Sequence, residues 1–315
     1  MAHAMTPGGE GDSARFPYGP PCEPARFPQG YPPGALYRPH PAPAPLASVH
    51  AAPDDERPRG VRHRWESPLL AAAIAVTAGA VALLGLLLWT RPGVPPIGAL
   101  VLLGVPLAYW LARGLLHAAR RAQGIKVSPT QFPEAHRMVR ELSVQMGLHR
   151  APEAYVLLGN GVVSTAASGH GFRRYVVVHS DLFEVGGRLR DPEALRFLIA
   201  HELGHIAAGH TAYWRQVATS VATVVPVLGS SLSRAMEYTA DNHAYAHCPE
   251  GAHGIRVLAG GKYLYPHVNL GEMADRARTE RGFFLFLHNL LARHPTHIKR
   301  MAAIRDRGRP GRVFH

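Results

Sequence analysis

The chain has 315 residues, a formal net charge of +12 and two cysteines, Cys22 and Cys248. This length allows one catalytic domain with extensions. Two cysteines, one of them in a proline-rich segment, argue against a disulfide framework and agree with a reducing compartment. The basic residues flank two apolar runs and form no base-reading motif, which argues against nucleic-acid binding and favours contact with anionic lipid.

The first 66 residues are rich in proline, glycine and alanine and poor in large aliphatic side chains. Runs such as Tyr31-Pro-Pro-Gly and Pro41-Ala-Pro-Ala-Pro cannot bury enough apolar surface to offset the entropy of an ordered chain. Residues 1–66 are therefore predicted to form a disordered tail. Docking of its proline motifs to a partner is the alternative to a purely solvated tail.

Two apolar runs follow, and they predict a transmembrane helical hairpin within residues 67–120. Residues 69–89 carry no charge and are long enough to cross a bilayer. Residues 97–116 form the second run, whose Arg113 is expected to reach the membrane interface. A buried hairpin in a soluble core is the alternative, but residues 69–89 are apolar on every face. The first run begins too far from the N-terminus for a cleavable signal peptide.

The orientation of this hairpin follows from its basic residues. One arginine, Arg91, lies between the two runs, and the others lie outside them: Arg57, Arg59, Arg62, Arg64, Arg113, Arg120, Arg121 and Lys126. Positive charge marks the cytoplasmic side of membrane spans. The pattern predicts a multi-pass protein of the cell membrane with its N-terminus and catalytic domain in the cytoplasm.

Residues 121–308 are predicted to form one α+β domain, mostly helical with a small antiparallel sheet. The strands are predicted at 155–158 and, as a pair across the turn Ser168-Gly-His-Gly, at 162–166 and 175–179. The predicted helices are 133–148, 192–210, 212–228, 230–247, 272–292 and 297–306. Residues 309–315 form a basic C-terminal tail.

The segment His201-Glu-Leu-Gly-His205 carries the strongest chemical signal. On a helix, His201 and His205 lie one turn apart on the same face and can bind one zinc ion. Glu202 is placed to take a proton from a water at that zinc. A surface helix with spare histidines is the alternative, but the flanking residues are apolar, and Asp191-Pro is a good helix start.

A catalytic zinc usually has three protein ligands, and the best third ligand is Glu237. It lies in Ser233-Arg-Ala-Met-Glu-Tyr-Thr-Ala-Asp, four residues before Asp241. Glu237 and Asp241 therefore share a helix face. One carboxylate can bind the metal while the other accepts a hydrogen bond from a ligand imidazole. A solvated acidic edge is the alternative.

These motifs resemble the membrane-associated zinc metallopeptidases that include the heat-shock protease HtpX and the type I CAAX prenyl proteases. Two further segments extend the resemblance, Val176-Val-Val-His-Ser-Asp-Leu-Phe before the zinc helix and His294-Pro-Thr-His-Ile-Lys-Arg300-Met near the end. The resemblance covers roughly residues 128–306. The chain departs from relatives at Asn160-Gly-Val-Val, where they often have Asn-Ala-Phe, and in its shorter segment at 211–230, which is expected to pack on the domain or at the interface.

The resemblance implies a zincin-like metallopeptidase domain and a role for each matching residue. His201, His205 and Glu237 match the ligands of one zinc ion, and Glu202 matches the general base. Asp241 matches a carboxylate that orients a ligand, and His294 and Arg300 match residues near the metal with catalytic roles.

The implied activity is that of a membrane-anchored zinc endopeptidase, a hydrolase whose Glu202 accepts a proton from a zinc-activated water and returns it to the leaving amine. Its substrate is a protein or peptide, bound as an extended strand near residues 160–178. Two alternatives stay open. One is a catalytically inactive membrane protein that uses the zinc fold for binding, and the other is an adaptor that works through the proline-rich tail. The physiological substrate and the oligomeric state do not follow from the residues.

Overall fold

The computed structural model describes residues 60–90, 95–161, 164–183, 191–308 and 311–314, without the side chains of 95–97, 99, 101 and 102. Residues 1–59, nearly all of the predicted tail, lie outside the described residues. The α-helices are α1 (Glu66–Trp89), α2 (Pro95–Gln123), α3 (Pro133–Gln145), α4 (Pro192–Ala207), α5 (Tyr213–Ala218), α6 (Leu228–His247), α7 (Val257–Leu264), α8 (Leu270–Thr279), α9 (Phe283–Leu291) and α10 (His297–Arg305). The strands are β1 (Ile125–Lys126), β2 (Glu153–Leu157), β3 (Thr165–His170) and β4 (Arg173–His179).

Helix α1 is, among the described residues, the one helix long and apolar enough to cross a membrane. It begins three residues before the predicted run, and its first residue, Glu66, is buried in the α+β domain. There Leu69 and Ala73 pack against Leu232 and Ala235 of α6. The start of α1 is therefore part of the domain, and the rest of the helix is its apolar extension.

Helix α2 covers the second predicted run and extends to Gln123, but a second membrane span is not confirmed. The prediction that Arg113 reaches a membrane interface is wrong. Arg113 is buried, and its guanidinium donates hydrogen bonds to the backbone carbonyls of Gly169 and Thr211. These carbonyl oxygens hold the charged end of the side chain inside the protein.

The sheet has the strand order β1-β2-β4-β3 and is mixed, so the predicted antiparallel sheet is wrong in this respect. Strand β4 pairs antiparallel with β3 through the tight turn at Gly171 and parallel with β2, whereas β1 pairs antiparallel with β2. The predicted pairing of two strands across a glycine-rich turn is confirmed by β3 and β4, although the turn lies one to two residues later than expected. The parallel pair arises because the chain crosses from the end of β2 to the outer position of β3 before it turns back.

Helix α4 packs under this sheet and is buried almost throughout. Phe197, Ile199 and Leu203 are fully buried in the main core. The helix starts as predicted, with Pro192 at its first position and Asp191 Oδ1 accepting the backbone N–H of Ala194 at 2.9 Å. It ends at Ala207, earlier than the predicted residue 210, because Gly209 has φ +75° and closes the helix.

The remaining helices differ from prediction mainly where glycine or proline interrupts them. The predicted helix 212–228 is α5 followed by a 3-10 turn at Ala222–Val224, and Pro226 precedes the start of α6. The predicted helix 272–292 is two helices, α8 and α9, separated at Gly282, where φ is +150°. Helices α3, α6 and α10 match prediction to within about three residues, a usual uncertainty for helix ends. The segment Pro249–Leu264, a 3-10 helix followed by α7, was not predicted.

Candidate metal centre

Helices α4 and α6 bring the three predicted ligands together. His201 Nε2 lies 3.3 Å from His205 Nε2 and 3.4 Å from Glu237 Oε2, and His205 Nε2 lies 3.5 Å from Glu237 Oε1. The helices can approach closely because residue 204 is glycine. A Cβ atom there would lie 2.8 Å from the Cβ of His243 and 3.2 Å from the backbone of Ala240. The glycine inside the His-Glu-x-x-His motif is therefore a packing requirement.

The donor set fits a zinc ion. Zinc bonds of roughly 2.0–2.1 Å at tetrahedral angles put neighbouring ligand atoms about 3.3–3.4 Å apart. The two imidazole nitrogens are 3.3 Å apart, and each lies 3.4 or 3.5 Å from a different oxygen of the Glu237 carboxylate. Two imidazoles with one carboxylate are the donor types of many catalytic zinc sites. Among the described residues, His201, His205 and Glu237 form the group that could hold a metal ion.

Asp241 orients the first histidine. Its Oδ1 lies 2.9 Å from His201 Nδ1, so it accepts that N–H and leaves Nε2 for the metal. Arg300 donates to both oxygens of Asp241, over 2.9 and 2.6 Å. Although burial opposes ionisation, the charge of Arg300 holds the pKa of Asp241 below its usual value. Burial also opposes the charge of His201, but hydrogen bonds to Asp241 and Glu237 raise its pKa to about 9 in the metal-free site.

The second histidine, His205, has an imidazole beside its Nδ1 where His201 has a carboxylate. His205 Nδ1 lies 2.7 Å from Nδ1 of His210, which is buried, and His210 Nε2 lies 3.1 Å from Oε1 of Glu66. Burial lowers the pKa of His205 to about 3, so this imidazole is neutral. Sequence reasoning missed His210 and Glu66. The Gly209-His210 pair at the end of α4 was the available signal for His210.

Glu202 follows His201 directly on α4 and is itself buried. Its Oε1 accepts a hydrogen bond from Thr165 Oγ1 at the start of β3, over 2.8 Å. Burial raises the pKa of Glu202 above its ordinary value. Sequence reasoning missed Thr165 because only the sheet brings it against α4.

His294 and Arg300 also lie at the centre. His294 is exposed, and its Nδ1 lies 3.1 Å from Oε1 of Glu237. Arg300 Nη1 lies 3.8 Å from Glu237 Oε2. Hydrogen bonds from His201 and His294 hold the pKa of Glu237 well below its usual value, although burial opposes its charge. All seven residues that the sequence singled out are thus adjacent in space.

Comparison with known proteins agrees with this geometry. The model of peptidase family M48 matches residues 129–220 and 213–308, more than half of the chain. The matched segments contain the two histidines, the three acidic residues and the His294–Arg300 motif. No curated protein and no solved structure was found to match the chain. The family match and the order of the motifs agree, and the chain belongs to peptidase family M48, a family of metallopeptidases.

Proposed function

We propose that this protein is a membrane-anchored zinc-dependent endopeptidase with His201, His205 and Glu237 as its metal ligands. The observation that carries the proposal is the convergence of two imidazole nitrogens and the Glu237 carboxylate, which lies 3.4 Å from His201 Nε2 through Oε2 and 3.5 Å from His205 Nε2 through Oε1. A bound zinc ion would supply Lewis-acid activation of a water and of the substrate carbonyl. Such chemistry is what a metallopeptidase requires.

In this proposal Glu202 is the general base. Its burial favours the neutral form, so the carboxylate holds a proton more readily than an exposed glutamate does. A base with a raised pKa can accept a proton from water and return it to the leaving amine near neutral pH. The hydrogen bond from Thr165 fixes one carboxylate oxygen and leaves the other for the water.

The substrate is proposed to be a protein or peptide that pairs with β3. This strand is the last in the sheet, so one side of it has no partner strand among the described residues. Alternate residues of an edge strand direct their backbone groups outward, and a bound peptide can add to them. Arg113 donates to the Gly169 carbonyl and so covers the far end of this edge. The open part lies at Thr165–Ser168, directly beside Glu202.

His294 and Arg300 are assigned different roles. His294 is exposed next to Glu237, which supports contact with the carbonyl oxygen of the substrate as it gains negative charge. Arg300 is buried and makes its shortest contacts to Asp241. Its proposed contribution is to hold Asp241 charged and so to orient His201.

Membrane anchoring is proposed through α1, whose length and composition allow it to cross a bilayer. We propose that α2 is the second span of a hairpin in the cell membrane and that the catalytic domain is cytoplasmic, since basic residues flank the hairpin on the domain side. The start of α1 packs on α6, and Arg113 in the C-terminal half of α2 donates to Gly169 and Thr211, so both helices contact the domain at the ends that carry the basic residues. The site would then act on segments close to the membrane surface.

The test uses the full-length protein in detergent with casein as substrate. Wild type, Glu202→Gln and a matched control, Glu193→Gln, are compared with and without a chelator. Glu193 lies on the same helix but is exposed. We expect cleavage by wild type and Glu193→Gln, its loss with chelator, and zinc bound but no cleavage in Glu202→Gln.

Cleavage by Glu202→Gln at the wild-type rate would contradict the proposed base, and chelator-resistant cleavage would contradict the metal. A wild-type protein that binds zinc and cleaves nothing would favour the non-catalytic binding role.

A further inference from the structure

The first residue of the apolar helix α1, Glu66, is fully buried inside the catalytic domain. Its Oε1 accepts hydrogen bonds from Arg62 at 2.7 Å, Arg215 at 2.9 Å and His210 at 3.1 Å. Its Oε2 accepts from Thr239 on α6. A buried carboxylate is costly unless charged and hydrogen-bonded partners surround it. Four hydrogen-bond partners therefore hold the Glu66 carboxylate in one position.

One of these partners, His210, also contacts a side chain of the metal centre. His210 lies between Glu66 and His205, with its Nε2 towards the carboxylate and its Nδ1 2.7 Å from Nδ1 of His205. The two imidazole rings are at 66° with centroids 5.0 Å apart. His210 is buried, so water does not replace a missing hydrogen bond at its ring.

The end of α4 places His210 in this position. Gly209 has φ +75°, its N–H donates to the carbonyl of Ile206, and the N–H of His210 donates to the carbonyl of His205. These are the two hydrogen bonds of a Schellman motif, which turns the chain back over the last helical turn. A side chain other than that of glycine would be strained at residue 209. The turn therefore brings residue 210 over residue 205.

The direction of the hydrogen bonds then fixes both tautomers. An ionised carboxylate only accepts, so His210 donates from Nε2 and its Nδ1 carries a lone pair. That lone pair accepts the N–H at Nδ1 of His205. Nε2 of His205 is then left unprotonated, and it is the nitrogen that lies near His201 and Glu237.

We infer that Glu66 and His210 are positioning residues for the metal ligand His205, linking the start of the membrane-proximal helix to the metal centre. This inference rests on the proposed function, because it assigns His205 as a ligand. In this inference each ligand histidine donates its Nδ1 hydrogen to a buried side chain that orients it. Asp241 accepts directly from His201, whereas His205 donates to His210, and the hydrogen bond of His210 to Glu66 fixes the orientation of both rings.

The competing interpretation is that Glu66 only docks α1 on the domain. Thr239 distinguishes the two, because it binds the same carboxylate from α6 and lies outside the path from Glu66 to His205. Thr239→Val keeps the shape of the side chain and removes this hydrogen bond. It is therefore a matched control for the docking role.

The experiment measures zinc affinity by competition with a chelator in full-length, detergent-solubilised protein. Every variant carries Glu202→Gln, so that peptidase activity does not enter the result. We expect Glu66→Gln and His210→Phe each to weaken zinc binding by about 10- to 100-fold, and Thr239→Val to stay near the parent value. The double variant Glu66→Gln, His210→Phe should lose no more than the single variants, since both act through one path.

A second measurement uses the absorption spectrum of the cobalt-loaded protein, which reports the ligand geometry. We expect it to change in Glu66→Gln and His210→Phe and not in Thr239→Val. Parent-like affinity and spectrum in both Glu66→Gln and His210→Phe would overturn the inference, and so would equal losses in Thr239→Val. If one variant does not fold, the other decides. Absence of zinc binding in the parent would instead overturn the proposed function and this inference together.

Discussion

Thr165 Oγ1 donates a hydrogen bond to Oε1 of Glu202 over 2.8 Å, joining the first residue of an edge strand to the residue proposed as general base. The same strand is proposed to pair with the substrate. Thr165 therefore fixes the proposed base relative to the strand on which the peptide is proposed to bind. The contact is side chain to side chain across 37 residues of sequence.

Replacing Thr165 with valine removes this hydrogen bond and keeps the side-chain shape. A hydrogen bond to a charged group contributes roughly 1.5–3 kcal/mol, so we expect kcat/KM for casein peptides to fall about 10- to 100-fold. Zinc content should not change, because the side-chain hydrogen bond of Thr165 goes to Glu202 and not to a metal ligand. Thr165→Ser, which keeps the hydroxyl, is the control and should retain most of the activity. Wild-type kinetics in the valine variant would show that Glu202 needs no such partner.

Arg300 and Asp241 form a buried, two-point ion pair behind His201. Arg300→Met removes the guanidinium that donates to both oxygens of the buried Asp241 carboxylate, and breaking such a buried pair costs about 3–5 kcal/mol. We expect a clear loss of unfolding free energy in the metal-free protein, measured by denaturant titration in detergent. The double variant Arg300→Met, Asp241→Asn should recover part of the loss, since no uncompensated charge remains. A double variant no more stable than the single one would argue against this pairing.

Zinc binding should release a proton at neutral pH. The pKa of His201 is raised to about 9 in the metal-free site, so below that pH the ring carries a proton that the metal must displace. The pKa of His205 is lowered to about 3, and this ring has no proton to lose. Apparent zinc affinity should therefore rise about tenfold per pH unit between pH 6 and 8 and level off near 9.

Calorimetry in buffers of different ionisation enthalpy measures this release directly. About one proton per zinc is expected at pH 7. Asp241→Asn should release less, because the loss of the carboxylate lowers the pKa of His201. Equal heats in all buffers for the wild-type protein would contradict the prediction.

Removal of the proline-rich tail distinguishes the interpretation as an adaptor from the interpretation as an enzyme. Deletion of residues 1–59 leaves His63, whose N–H donates to Thr239 Oγ1 at 2.9 Å, and Glu66 in place. We expect casein cleavage and zinc affinity to stay at the wild-type level. A deletion that extends through residue 66 should weaken zinc binding. Loss of cleavage in the shorter deletion would give the tail a direct role in hydrolysis.

Much of the metal centre was predictable because its signals are local. The helical period places His201 and His205 on one face, and a run of apolar residues with a good N-cap defines α4. The need for a third ligand and the i,i+4 spacing extended this to Glu237 and Asp241, and resemblance to a known family extended it to His294 and Arg300; all of these residues lie together in the structure. The chemistry of the site therefore follows from motifs that each span fewer than ten residues.

Tertiary structure alone decided which residues outside these motifs contact the motif side chains. The place of β4 between β2 and β3 sets Thr165 against Glu202, and no local pattern distinguishes a parallel from an antiparallel neighbour in so small a sheet. Glu66 and His210 are separated by 144 residues, yet their side chains are in contact. Sequence by itself determined the family through its motifs, the ligand types through their helical spacing, and the apolar helix α1 through its composition, since motifs, spacing and composition are local properties. Only the packing of α1 on α6 decided that the start of this helix belongs to the metal centre, because contacts between distant segments depend on the whole fold.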